Sequence, residues 1–144
     1  ISAVFSDFHL FQILYHIDEQ ILNEKSQNYI DYLELSSKVK IVDRQFSTLS
    51  LSHGQRKRLG LVAALLENKD IYVFDEWAAN QDPYYKSIFY KTILGDLKRS
   101  GKTVIVVTHD DTYFSYADRI LEIRDGLLVR NEVKNHSTSN LGDP

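Results

Sequence analysis

The sequence predicts an α/β fold with a parallel sheet, and three observations predict it. Two short continuous apolar runs, Ile71-Tyr72-Val73-Phe74 and Thr103-Val104-Ile105-Val106-Val107, read as strands buried on both faces, the pattern of a parallel sheet. A helical pattern lies between them, so the order strand, helix, strand implies a right-handed crossover. Ionisable side chains stand just past both runs: Asp75 and Glu76 after the first, His109 after the second. In open parallel sheets, ligands sit beyond the carboxyl ends of the strands, which makes these three the first site candidates.

The elements follow in chain order. Residues 1–46 are aromatic-rich and mostly helical in pattern, with Ile17, Ile21 and Leu22, then Tyr29, Ile30 and Leu33 at helical spacing. Residues 26–28 read as a break between two short helices. A Ser-x-Gly-Gln turn, Ser52 to Gln55, opens an amphipathic helix whose apolar face is Leu59, Val62, Ala63 and Leu66. Arg56, Lys57 and Arg58 are expected mainly on its wet side. Asp82 reads as an N-cap with Pro83 at the first helical position. That helix runs through Ile88, Phe89, Ile93 and Leu97 and stops at Gly101. A short helix around 112–116 leads to a hairpin over 119–130 with Asp125-Gly126 at its turn. From Asn131 onward the chain is polar and aperiodic, the pattern of a frayed terminus.

Composition narrows the class. A net charge of −3 gives no basic excess for nucleic acid, and the absence of cysteine excludes disulfides and thiolate metal sites. No apolar run approaches the ~18–20 residues that span a bilayer. The sequence starts at Ile1 and holds no methionine, so the expectation is a piece of a longer protein.

Each candidate has a plain reading beside a chemical one. Ser52 and Gln55 form a capping box pattern, in which the hydroxyl satisfies a backbone N–H and the amide reaches back. The same turn suits a phosphate, because a helix N-terminus offers free N–H groups and a positive dipole end, and Gly54 admits close approach. Asp75 and Glu76 could simply mark a strand emerging into water. Alternatively, Asp75 holds Mg²⁺ and Glu76 orients and polarises an attacking water. His109 gains weight from register, since it ends the strand expected beside that of Asp75. His9, His16, His53 and His136 are expected to be structural or surface residues, with His53 alone also a candidate for ligand contact. Gly101-Lys102-Thr103 resembles the end of a phosphate loop, but Gly95 lies one residue too far away and the context is helix then strand, the reverse of what a loop needs.

Taken together, these stretches resemble the ATP-binding cassette (ABC) ATPases. Leu51-Ser52-His53-Gly54-Gln55-Arg56-Lys57-Arg58-Leu59 resembles the signature, and Ile71 to Glu76 the Walker B strand. Ala79-Asn80-Gln81-Asp82 resembles the D-loop, and Thr108-His109 the switch histidine. The opening Val4-Phe5-Ser6-Asp7-Phe8-His9-Leu10-Phe11 lines up with the Q-loop, with Ser6 at the glutamine position. A serine cannot present an amide oxygen there, and His53 replaces the usual glycine. Trp77 stands where most members have proline. The phrase from Asp75 to Pro83 is similar to the cyclic-peptide and siderophore-peptide exporters.

The resemblance implies a partial P-loop NTPase (RecA-like) core with a helical signature subdomain and without its N-terminal phosphate-loop portion. It divides the chain into a Q-loop region and helical subdomain (1–50), the signature, Walker B, D-loop and switch-histidine core (51–130), and a polar tail (131–144). It implies ATP and Mg²⁺ as cofactors, with Asp75 on the metal and Glu76 and His109 catalytic. Ser52, Gly54 and Gln55 would serve the ATP of a second, head-to-tail ATPase domain, with Asp82 in the D-loop between them. A transmembrane domain, on the same polypeptide in those exporters, would place the ATPase at the cytoplasmic face of the membrane. The 144 residues alone are expected to be inactive, and the strand at 103–107 to have an open edge. The alternatives are a soluble ABC ATPase without transport, or a degenerate module that binds nucleotide or partners without catalysis.

Overall fold

A computed structural model describes residues 1–79 and 81–134. The described residues form two compact units, Ile1–His109 and the stretch from Asp110 onward.

The first unit is built on a three-stranded parallel sheet of order β1-β4-β5, with β1 at Ser2–Val4, β4 at Ile71–Asp75 and β5 at Thr103–Val107. Val4 pairs with Phe74, and Asp75 with Val107. The α/β parallel architecture matches the expectation, and β5 forms one edge of this sheet. The opening residues differ from it. β1 is a strand, and only Glu19–Tyr32 (α1) is helical before residue 46. A small antiparallel pair, β2 at Ile41–Val42 and β3 at Gln45–Phe46, follows α1.

α1 is one continuous helix through residues 26–28. Asp18 caps it by accepting from the amides of Gln20 and Ile21. The polar residues in its middle do not break it, because they bond along the helix surface: Gln27 donates to Asp31 and Asn28 to the carbonyl of Glu24. With no Gly or Pro in the run, nothing forces a break.

α2, His53–Leu66, is buried almost all round from Lys57 to Leu66, with Ala63 the half-exposed exception. It therefore has no wet side where one was expected for Lys57 and Arg58. Both are buried: the Lys57 ammonium meets main-chain carbonyls after β4, and the Arg58 guanidinium lies over the Tyr85 ring, its Nε without a hydrogen-bond partner among the described residues. Gly60 is needed for packing: a Cβ there would stand 2.8 Å from the ring of Phe8.

After β4 the chain turns into α3, Pro83–Ser87, a π-helical stretch over Ile88–Ile93, and α4, Leu94–Arg99. Asp82 accepts from the Tyr84 amide as the expected N-cap, and Gly101 ends the run at φ 73°. The π turn brings Phe89, Tyr90 and Ile93 into the core. Phe89 packs edge-on to Phe74 at 5.2 Å and stacks on Trp77 at 4.4 Å.

The sheet is not buried on both faces. Tyr72 and Phe74 are buried, whereas Ile105 and Val107 on the alternate face are about half exposed, at 51% and 50%. The apolar composition of these strands therefore exceeds what the described residues cover.

In the second unit, a 3₁₀ turn over Asp111–Tyr116 precedes β6 (Arg119–Arg124) and β7 (Leu127–Val133). Asp125 and Gly126 both have positive φ, 50° and 77°, the two-residue hairpin turn that the sequence predicts. β7 continues to Val133, so the polar residues from Asn131 still pair, Asn131 with Leu121 and Val133 with Arg119. His136 and the rest of the polar tail beyond Lys134 lie outside the described residues.

Candidate active site

The three strands of the first unit end side by side, which places the candidates in a row. β1 leads into a turn at Ser6, β4 ends at Asp75 with Glu76 next, and β5 ends at Val107 with Thr108 and His109 following. Glu76 takes φ 50° as the chain turns away, and its amide donates to the carbonyl of Val107 at 3.0 Å. That bond keeps Glu76 against the end of β5. Nδ1 of His109 and Oε1 of Glu76 lie 3.0 Å apart. The Glu76 side chain is 27% exposed and that of His109 81%, so the pair opens to solvent where a ligand could approach. Ser6 lies past β1, on the opposite side of β4 from His109.

The signature-like turn is a complete capping box. Ser52 Oγ accepts from the Gln55 amide at 3.3 Å, and Gln55 Oε1 accepts from the Ser52 amide at 3.0 Å. The Arg56 amide bonds to the Ser52 carbonyl. His53 and Gly54 carry the first-turn amides outside these bonds. The plain reading holds, since the cap shapes the turn, and it leaves the His53 and Gly54 amides at the positive end of a 14-residue helix, the feature that the chemical reading requires. A Cβ on Gly54 would meet nothing nearer than the Gln81 amide oxygen at 3.8 Å. Gln81 is 6% exposed, and its Nε2 has no partner among the described residues. Asn80, the remaining D-loop position beside Gln81, is outside the described residues.

Two residues missed by the pattern reading stand out. Lys57 is 3% exposed, and its Nζ donates to the main-chain carbonyls of Glu76 at 3.1 Å and Ala79 at 3.4 Å. Burial pushes this ammonium below the usual lysine range, opposed by the Glu76 and Asp75 carboxylates nearby. Trp77 is 1% exposed and its Nε1 donates to the Lys57 carbonyl at 3.0 Å. The next residue of α2, Arg58, has its guanidinium 3.6 Å from the centroid of Tyr85, whose hydroxyl donates to Glu34 at 2.7 Å. A Lys-Arg pair in a signature turn reads as solvated charge. Only the Trp in place of proline hinted that something would fill the space beside it.

The donor chemistry fits a magnesium nucleotide. Mg²⁺ is held through one or two carboxylates together with phosphates and waters, not by an all-protein cage. Asp75, half-buried at the strand end with Glu76 next to it, offers that. Among the described residues no group of three or more His, Asp or Glu side chains could hold an ion alone. The amides of the α2 N-terminus, beside a glycine whose Cβ position meets only the Gln81 amide at 3.8 Å, fit a phosphate.

Comparison with known proteins decides the family. The ABC transporter family model matches residues 1–79, more than half of the chain. The chain belongs to the ABC transporter family. It is 53% identical over 131 residues to the ATP-binding protein SyrD of Pseudomonas syringae pv. syringae, covering 89% of this chain and 23% of that protein. It is 34% identical over 135 residues to the macrolide export ATP-binding/permease protein MacB of Chlorobium luteolum, covering 90% of this chain and 20% of MacB. The chain thus spans about a quarter or less of the length of these two relatives. Its fold is that of a solved dimeric bacterial ABC transporter cassette, MJ0796, at a TM-score of 0.71 and 22% identity, covering 92% of this chain and 62% of that one. Within this ABC transporter chain, no helix of the described residues is long and apolar enough to cross a membrane.

Proposed function

We propose that these residues are the C-terminal part of an ATPase domain whose ATP hydrolysis drives export of a peptide-type substrate, cyclic or siderophore-related. The observation that carries the catalytic reading is the 3.0 Å contact of Glu76 and His109 at the ends of adjacent parallel strands. Asp75 would hold Mg²⁺, directly or through water. Glu76 would orient and polarise the attacking water, and His109 would orient Glu76 and approach the same phosphate. Bound magnesium nucleotide supplies the phosphoryl group and the charge that these side chains meet. The amides leading α2, with Ser52, Gly54 and Gln55, would bind the ATP held by a second ATPase domain, with Asp82 anchoring the D-loop in between.

The dimeric state of the MJ0796 cassette supports a second ATPase domain as partner. The ATP-binding and permease parts in the name of MacB support a transmembrane domain on the same polypeptide, and the ATPase part would then lie at the cytoplasmic face of the membrane. The likeness of the stretch from Asp75 to Pro83 to peptide exporters supports the substrate class. The 144 residues contain no G-x-x-x-x-G-K-[ST] loop, so on their own they would neither bind ATP tightly nor turn it over. The test is Glu76→Gln in the full-length protein. Turnover should fall at least ~100-fold with ATP binding retained; unchanged turnover would remove Glu76 from this role.

A further inference from the structure

We infer that Lys57 is a positioning residue for Glu76, acting through the main chain that carries the carboxylate. The inference rests on the role proposed for Glu76 in hydrolysis.

A lysine is almost never fully buried unless its ammonium is paired. Lys57 is 3% exposed, and the bonds its Nζ makes go to main-chain carbonyls, those of Glu76 and Ala79. The Ala79 amide also bonds to the Glu76 carbonyl, at 3.1 Å. One ammonium therefore clamps both ends of the turn that leaves the strand. The clasp closes from the other direction as well, because the indole of Trp77, inside that turn, donates to the main-chain carbonyl of Lys57. Trp77 cannot swing out of the turn, since it is stacked on Phe89.

What the clasp holds is an unfavourable conformation. Glu76 sits at φ 50°, costly for a residue with a Cβ. Such a conformation persists only where the surroundings over-determine it. Here the Glu76 amide is fixed by Val107, and its carbonyl by Lys57 and Ala79. With both peptide flanks held, the Cα–Cβ direction is set, and the carboxylate meets His109. Removal of the ammonium leaves the Glu76 carbonyl to the Ala79 amide alone and the Ala79 carbonyl without this donor, which loosens the second flank. The carboxylate would then sample positions off the water it must orient, and a displacement of about 1 Å at such a site can cost ~10²-fold in rate.

The test uses the full-length protein with Lys57→Met, which keeps the aliphatic stem and removes the charge. The kcat should fall about tenfold or more, while the Kd of a fluorescent ATP analogue stays within about threefold. The double variant K57M/E76Q should turn over at the rate of E76Q alone, within about twofold, because the two residues act as one unit. An unchanged kcat in K57M, losses that multiply in the double variant, or a fall in ATP affinity that matches the fall in kcat would each overturn the inference. E76Q at wild-type turnover would sink the reading of Glu76 and the inference with it. E76Q impaired with K57M unimpaired sinks the inference alone. If K57M is not recovered folded, Trp77→Phe takes its place. It keeps the ring stack and opens the other half of the clasp, so a lowered kcat at unchanged Kd supports the inference and an unchanged kcat overturns it.

Discussion

Nδ1 of His109 meets Oε1 of Glu76 at 3.0 Å, although 33 residues separate them. The contact exists because β4 and β5 are parallel and in register, with Asp75 opposite Val107, so both strands deliver their next residues to the same end. His109 is mostly exposed, and an exposed pair contributes about 0–1 kcal/mol to stability. His109→Ala in the full-length protein should therefore leave the unfolding midpoint nearly unchanged while lowering ATP turnover about 10²-fold. Thermal unfolding and steady-state ATPase assays on the same preparation check both halves. A large loss of stability with normal specific activity would make the contact structural.

Gly54 predicts the opposite pairing of effects. A Cβ there makes only ordinary contacts, with Gln81. Alanine is favoured over glycine inside a helix by ~0.5–1 kcal/mol. Gly54→Ala should leave the thermal midpoint equal or slightly raised. The added methyl would stand where a phosphate must approach the amides of His53 and Gly54, so ATP-dependent pairing and turnover should fall. Light scattering with and without ATP, in the full-length protein, measures the pairing. Undiminished pairing would remove this turn from the nucleotide site.

The residues legible in the sequence were those whose meaning is local. Asp75, Glu76 and His109 end apolar runs, Ser52 and Gln55 have the spacing of a cap, and Asp125-Gly126 has the composition of its turn. Each is a statement about fewer than ten neighbours. What was not legible depends on distant partners. β1 is three residues long and exists because it pairs with β4 some 70 positions later. Lys57 reads as solvated because its acceptors are carbonyls, which no side-chain pattern announces, in a turn about 20 residues away. The break expected at 26–28 failed because polar side chains can bond along a helix as readily as they end one. The half-exposed outer face of β5 shows that apolar composition records what a strand is built to meet, and Ile105 and Val107 meet little within the described residues.

Trp77 is the residue on which the site and the core depend together. It is 1% exposed, and its ring stacks on Phe89 at 4.4 Å. Truncation of such a side chain costs ~3–5 kcal/mol. Trp77→Ala should lower stability by that amount in urea unfolding, and Phe89→Ala by a similar one. The double variant should lose less than the sum, since each truncation removes the same contact. Additive losses would show that the two rings do not stabilise each other.

Tyr72 makes the fold sensitive to alkali. It is 1% exposed, the second residue of β4, its ring nearly parallel to that of Phe74 with centroids 6.1 Å apart. Burial, the largest cause, pushes its phenol from 10.0 up to about 12, opposed by a hydrogen bond to the main chain of Lys69. Below pH 10 the phenol is protonated in both folded and unfolded chains and stability is independent of it. Between pH 10 and about 12 the unfolded chain loses the proton while the folded one keeps it, so stability falls as the pH rises. At ~1.4 kcal/mol per pH unit, the fall across that window is about 2–3 kcal/mol. Tyr72→Phe removes this contribution. Denaturant midpoints measured at pH 9, 10 and 11 should decline less steeply for the variant than for the wild type. Tyr29 and Tyr85, whose phenols are also raised, should leave a residual slope in both. Equal slopes would mean that the Tyr72 phenol ionises as freely in the folded chain as in the unfolded one, against its burial.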